Sequence, residues 1–116
     1  MNNVTIYHNP RCSKSRETLA ILQAHNIEPE IILYLDEPPT IKELKNIVKK
    51  LGLTVRDIVR KCEPEFKENY LDDETLSDDQ LLETLVEYPC LIQRPIVVCD
   101  KKAVIGRPPE NVLALI

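Results

Sequence analysis

Residues 4 to 35 constrain the fold most. Val4, Ile6 and Tyr7 belong to a short strand-like run that stops at Asn9-Pro10, and "EIILYL" at 30 to 35 is a second, almost wholly apolar run. Between them, Leu19, Ala20, Leu22 and Ala24 recur among polar residues over 13 to 24, the spacing of an amphipathic helix. A tight turn joins only antiparallel strands, so a strand, a helix and a strand in this order predict a parallel pair with a helical crossover. The unbroken apolar character of 30 to 35 predicts a strand buried on both faces.

After Pro38-Pro39 the pattern is helical. Thr40 and Glu43 form a capping box, Ile41, Leu44, Ile47, Val48 and Leu51 share one side, and Gly52 is the stop. Thr54 opens a shorter helix holding Val55, Ile58 and Val59. Ser77 and Gln80 form a second capping box ahead of Leu81, Leu82, Leu85 and Val86, and Pro89 ends that helix. "PIVVCD" and "AVIG" read as two strands joined by a turn at 100 to 102, and Pro108-Pro109 opens a last helix, "ENVLALI". The acidic segment from Glu63 to Asp79 reads as a solvated face and a helix start.

The expected order is strand, helix, strand, three helices, strand, strand, helix. A ferredoxin-like sheet would need a strand before residue 53 that the sequence does not offer, and a flavodoxin-like sheet would need more crossover helices. The order is α/β and resembles a thioredoxin-like domain: a mixed four-stranded sheet, strand-helix-strand plus hairpin-helix, with a helical insertion in the middle of the chain. At 116 residues it is read as one domain, 1–116, with the insertion at about 40–89.

No apolar run approaches the roughly 20 residues of a spanning helix, and the N-terminus shows no basic leader, so the expectation is a cytoplasmic protein without membrane contact. The formal net charge is -4 and the acidic residues cluster, which argues against nucleic acid as a partner. Four cysteines stand at 12, 62, 90 and 99 with no C-x-x-C pair and no histidine at ligand spacing, so no metal site is expected. A reducing compartment would keep them as thiols.

In "IYHNPRCSKSRET" Cys12 sits just before the first helix, with His8, Arg11, Lys14 and Arg16 around it. An unperturbed thiol ionises near pH ~8.5, and a helix N-terminus or adjacent cations lower that value. Cys12 has both, and so reads as an activated nucleophile. Three residues on, where a dithiol enzyme carries its resolving cysteine, stands Ser15. A phosphatase loop is excluded by spacing, since only three residues separate Cys12 from Arg16.

Arg60, Arg94 and Arg107 each end a predicted element, and the last two flank the hairpin, where they can meet at one edge of the sheet. Guanidinium groups bind tetrahedral oxyanions through paired planar donors. Beside an activated thiol they point to an oxyanion pocket. Cys90 and Cys99 read as core filling, Cys62 lies two residues from Arg60, and His25 suits a helix C-terminus with no catalytic role.

"IYHNPRCSKSRETL", "IILYLDEPP", "RPIVV" and "GRPPE", in that order and spacing over nearly the whole chain, resemble the glutaredoxin-coupled arsenate reductase family. The resemblance implies an enzyme with Cys12 as nucleophile, His8 helping to keep the thiol ionised, and Arg60, Arg94 and Arg107 holding arsenate or a similar tetrahedral oxyanion while Ser15 or loop N–H groups donate to it. It implies no bound cofactor, glutathione as co-substrate, glutaredoxin as redox partner, and a cis Arg94–Pro95 bond facing the cysteine. The chain departs from many members in carrying Arg11 and Lys14 around Cys12, which makes the expected pocket more basic. Two other functions compete: a monothiol glutaredoxin-like oxidoreductase, which needs no arginine cluster, and a redox-related regulator that binds RNA polymerase, whose C-x-x-C switch Ser15 removes.

Overall fold

Alternation builds the first strand. In β1 (Val4–Tyr7) Val4 and Ile6 are buried while Thr5 and Tyr7 are partly open, the period-two pattern of a strand with one face on a core. The structure, a computed structural model, describes residues 3–116. The expected lack of a basic leader bears also on Met1 and Asn2, which lie outside the described residues. The chain divides into two compact units, one made of the segment up to Glu37 with Arg94–Ile116, the other of Pro38–Gln93.

In the first unit β1 is followed by helix α1 (Ser13–Ala24), strand β2 (Glu30–Ile32), strand β3 (Ile96–Cys99), strand β4 (Lys102–Ile105) and a 3-10 segment, Pro109–Leu115. The sheet order is β2-β1-β3-β4, with β1 parallel to β2 and antiparallel to β3, and β3 antiparallel to β4. Register places Ile6 opposite Ile31 on one side and Val97 on the other. Val4, Ile6, Val97 and Cys99 pack with Leu22 of α1 and Val112 of the 3-10 segment. A fully buried side chain such as Leu22 contributes about 1.5–3 kcal/mol, so this layer is what holds α1, and with it Cys12, against the sheet.

Two expectations here are corrected. "EIILYL" is not a strand buried on both faces: it pairs only over Glu30–Ile32, and Ile31 is 46% exposed. Its place at the sheet edge gives it one strand neighbour, and the chain turns at Leu33, whose carbonyl accepts from Asp36 and Glu37 N–H. The last segment is a 3-10 rather than an α-helix, opened by Pro108 and Pro109 as expected.

The second unit is helical. Helix α2 (Ile41–Leu51) starts where Thr40 Oγ1 accepts from Glu43 N–H at 3.1 Å and stops at Gly52, whose φ of 70° is the left-handed conformation glycine adopts without cost. Thr54 caps a 3-10 turn, Val55–Ile58, by sharing its box with Asp57. Helix α3 (Pro64–Glu68) lies inside the acidic segment that reads as solvated from sequence; Phe66 is buried and anchors it, a single apolar residue that gives no periodicity to detect. Helix α4 (Asp78–Glu87) carries the Ser77–Gln80 capping box, with bonds of 2.8 and 3.2 Å. Leu44, Ile47, Ile58, Leu81, Leu82, Leu85 and Leu91 fill the core of this unit. A bridge pairs Val59 with Ile92, bonding Arg60 N–H to Leu91 O and Gln93 N–H to Ile58 O. Among the described residues no helix is long and apolar enough to cross a membrane.

Candidate active site

The loop after β1 is tied down on all sides. His8 N–H donates to Ile32 O at 2.9 Å, Cys12 N–H to Asn9 O at 3.0 Å, and Arg11 N–H to Asn9 Oδ1 at 3.0 Å, the last an Asx turn that fixes the Pro10-Arg11 corner. Arg16 Nη1 donates to Pro10 O at 2.9 Å and closes the loop onto the first turn of α1. This leaves Cys12 as the N-cap of α1, in extended backbone, with its thiol partly exposed.

Burial alone would push the Cys12 thiol up. It is outweighed, in order of weight, by the N–H of Ser15, the guanidinium of Arg94, the N–H of Lys14 and the charge of Arg107, so the thiol lies below the ordinary range. The sulfur makes no close capping bond, yet the free N–H groups of the first turn still face it, as they face any anion at a helix start. Arg107 Nη2 lies 3.4 Å from Cys12 Sγ, and its Nε donates to Arg94 O at 2.8 Å. Arg94 is shared between Cys12 and the hydroxyl of the buried Tyr34. Arginines 94 and 107 each precede a cis proline, Pro95 and Pro108. The first is the one expected from sequence; the second is additional.

Cys12, Arg94 and Arg107 are thus brought together within one unit. His8 is placed differently from the expectation of a cation beside the thiol. It is 6% exposed, its Nδ1 lies 2.6 Å from Ser15 Oγ, and burial first, then the charge of Arg16, lowers its pKa and favours the neutral ring. With the proton on Nε2, His8 Nδ1 accepts from Ser15 Oγ–H while Ser15 Oγ accepts from Asn9 N–H at 3.1 Å. Ser15 is fully buried with its hydroxyl turned toward His8 and Asn9, and it is its backbone N–H that faces the Cys12 sulfur.

The basic crowd in the sequence also disperses. Arg16 serves Pro10 O, and Lys14 pairs with Glu17 at 3.7 Å in solvent. Arg60 belongs to the second unit, where its Nε meets Glu63 Oε1 at 3.3 Å and its Nη2 meets Cys62 Sγ at 3.4 Å. Cys99 is buried with its thiol pushed up by burial, and Cys90 is pushed up by burial and then by Glu65 and Glu63, so neither is activated. Tyr34 and Asn9 are members of the site that sequence reasoning missed. Tyr34 sits in an apolar run and carries no signal, whereas Asn9-Pro10 is a turn signal whose side-chain bond was readable. Among the described residues no cluster of three or more His, Cys, Asp or Glu side chains could hold a metal ion.

A half-open thiol drawn toward ionisation, with two guanidinium groups and helix-start N–H groups beside it, is equipped to bind a tetrahedral oxyanion and attack its central atom. Comparison with known proteins agrees. The model of the ArsC family matches residues 7–115. An arsenate reductase of Haemophilus influenzae is 48% identical over 98% of this chain and 99% of that protein. An arsenate reductase of Neisseria meningitidis is 44% identical over the whole of both chains. The solved arsenate reductase from Vibrio cholerae superposes with a TM-score of 0.97 at 51% identity, covering 99% of this chain and 98% of that one.

Proposed function

The chain belongs to the ArsC family and is an oxidoreductase, and from that premise we propose that it reduces arsenate to arsenite with Cys12 as nucleophile, glutathione as reductant and glutaredoxin as the partner that clears the resulting mixed disulfide. The observation that carries this reading is the contact of Arg107 Nη2 with Cys12 Sγ, beside Arg94 on the same sulfur. These arginines serve twice. They hold the thiol ionised before substrate arrives, and they take the charge of the oxyanion that would otherwise repel the thiolate.

The Cys12 thiolate attacks arsenic, forming a sulfur–arsenic bond while one arsenate oxygen leaves as water after taking up protons. A glutathione thiol replaces a second oxygen in the same way. The two sulfurs then join as a Cys12–glutathione disulfide, the electron pair released goes to arsenic and reduces it from the pentavalent to the trivalent state, and the two-oxygen species that leaves takes up one water to give arsenite. Glutaredoxin exchanges onto this disulfide and returns the Cys12 thiol. A borrowed external thiol fits a site where Ser15 stands in the resolving position with its hydroxyl committed to His8 and Asn9. The family resemblance adds Arg60 to the oxyanion-binding set. A reducing cytoplasm is the compartment this thiol chemistry needs.

The test is arsenate reduction by the purified protein with glutathione and glutaredoxin supplied, for wild type and Cys12→Ser. Turnover in the first and its loss in the second is the expected result. No arsenate turnover, with brisk exchange of a glutathione mixed disulfide, would overturn the reading in favour of a monothiol oxidoreductase.

A further inference from the structure

Arg107 is the residue on which the site's geometry turns, and it sits at the end of β4 just past Gly106. Glycine gives that turn no stiffness of its own, since it lacks the side chain that restricts backbone rotation. The turn is held by other groups. Gly106 N–H donates to Pro95 O at 2.9 Å and Arg107 N–H to Ile105 O at 2.9 Å. From the last 3-10 segment, Asn111 Nδ2 donates to Ile105 O at 3.1 Å and to Arg107 O at 3.0 Å. A carboxamide nitrogen has two hydrogens, and both are used here, one on each side of Gly106.

We propose that Asn111 is a positioning residue: its amide clamps the 105–107 turn and so sets where the Arg107 guanidinium lies against Cys12. The hydrogen bonds of the Asn111 side chain go to Ile105 O and Arg107 O rather than to the sulfur. It acts through Arg107, whose Nε on Arg94 O and Nη2 on Cys12 Sγ both require the backbone at 107 to be held in place. The two bonds are exposed to water, so each stabilises the fold little. Their chelating geometry bears on direction instead, as a pair of bonds from one planar group fixes the relative orientation of the two carbonyls it joins.

The inference rests on the pairing of Cys12 with Arg107 and not on the identity of the oxyanion, so its test reads the thiol. Asn111→Leu keeps the number and branching of side-chain heavy atoms and adds no charge while removing both donors. The pH profile of Cys12 alkylation by iodoacetamide, followed by peptide mass analysis to separate the four cysteines, should move up by about half a unit, the size of a weakened charge contact at a partly exposed group. In an Arg107→Ala background the same substitution should give no further shift, because the residue it acts through is gone. Asn111→Ser, with a shorter donor, is read in the same way should the leucine variant fail to fold. An unchanged profile in the folded variant, or an equal shift with and without Arg107, would overturn the proposal, whereas absence of arsenate turnover would leave it standing.

Discussion

At the scale of single residues, Cys12 and His8 carry opposite lessons about charge. Cys12 is drawn down despite its burial, by the Ser15 N–H, Arg94, the Lys14 N–H and Arg107. It should therefore react with iodoacetamide below the pH of about 8.5 at which an ordinary thiol is half ionised, with Cys90 and Cys99 lagging because burial pushes both up. A Cys12 profile matching that of a free thiol would count against activation. His8 is pushed the other way from a cation's role. Because its folded pKa is depressed, first by burial and then by Arg16, the unfolded chain binds a proton that the folded one refuses. Stability is then fully present above the unfolded histidine value of about 6.5 and falls as pH drops through the folded value. Thermal midpoints taken at about pH 7.5 and 5.5 should differ more in wild type than in His8→Gln; equal differences would restore His8 to a charged role. The sequence made Cys12, Arg94 and Arg107 legible, because cysteine before a helix and arginine after a strand are chemical signals in themselves. It misled on His8, Lys14 and Arg16, because proximity along the chain does not reveal that Ser15, Glu17 and Pro10 O receive them.

Elements were legible wherever one principle acted alone. The expected bounds of α1 match Ser13–Ala24, the Ser77–Gln80 box marks the start of α4, and Gly52 ends α2. Reading failed where tertiary position decided: β2 is short because it lies at the sheet edge, and the closing segment is 3-10, with Pro109 at its first position. One contact between elements has a direct consequence. A Cβ on Gly106 would meet Thr18 Oγ1 at 2.5 Å and Pro95 Cγ at 2.8 Å, and Thr18 is fully buried in α1 with its hydroxyl on Lys14 O. Neither neighbour has room to retreat: a proline ring is rigid and the threonine rotamer is fixed by its bond. Gly106→Ala should therefore cost about 1–3 kcal/mol by overpacking, seen as a lower urea midpoint. An unchanged midpoint would mean that the α1–β4 seam yields more easily than its distances imply.

At the scale of the whole molecule, the thioredoxin-like sheet with α1 and the 3-10 segment contains Cys12, Arg94 and Arg107, while Arg60 stands on the other unit with Glu63 and Cys62 as its side-chain partners. The mixed four-stranded sheet, a parallel pair plus a hairpin, followed from the sequence pattern, whereas the place of β1 between β2 and β3 is set by the packing of the sheet. The division between the units is one of packing, with each core filled by its own buried residues. Arg60's assignment comes from the family resemblance, and kinetics can separate it from the other two arginines. Arg94 and Arg107 both lower the Cys12 pKa, whereas Arg60 is not among the groups that do. Replacing Arg60 with lysine keeps the charge but removes the paired planar donors, so arsenate kcat/KM should fall roughly 10- to 150-fold, the equivalent of about 1.5–3 kcal/mol. The pH profile of Cys12 alkylation should stay where it is in that variant and move up in Arg107→Lys, where the contact on sulfur is lost. If Arg60→Lys left arsenate kcat/KM unchanged, the oxyanion would be held by Arg94, Arg107 and the α1 N–H groups alone, and the Arg60–Glu63 pair would be a structural feature of the helical unit.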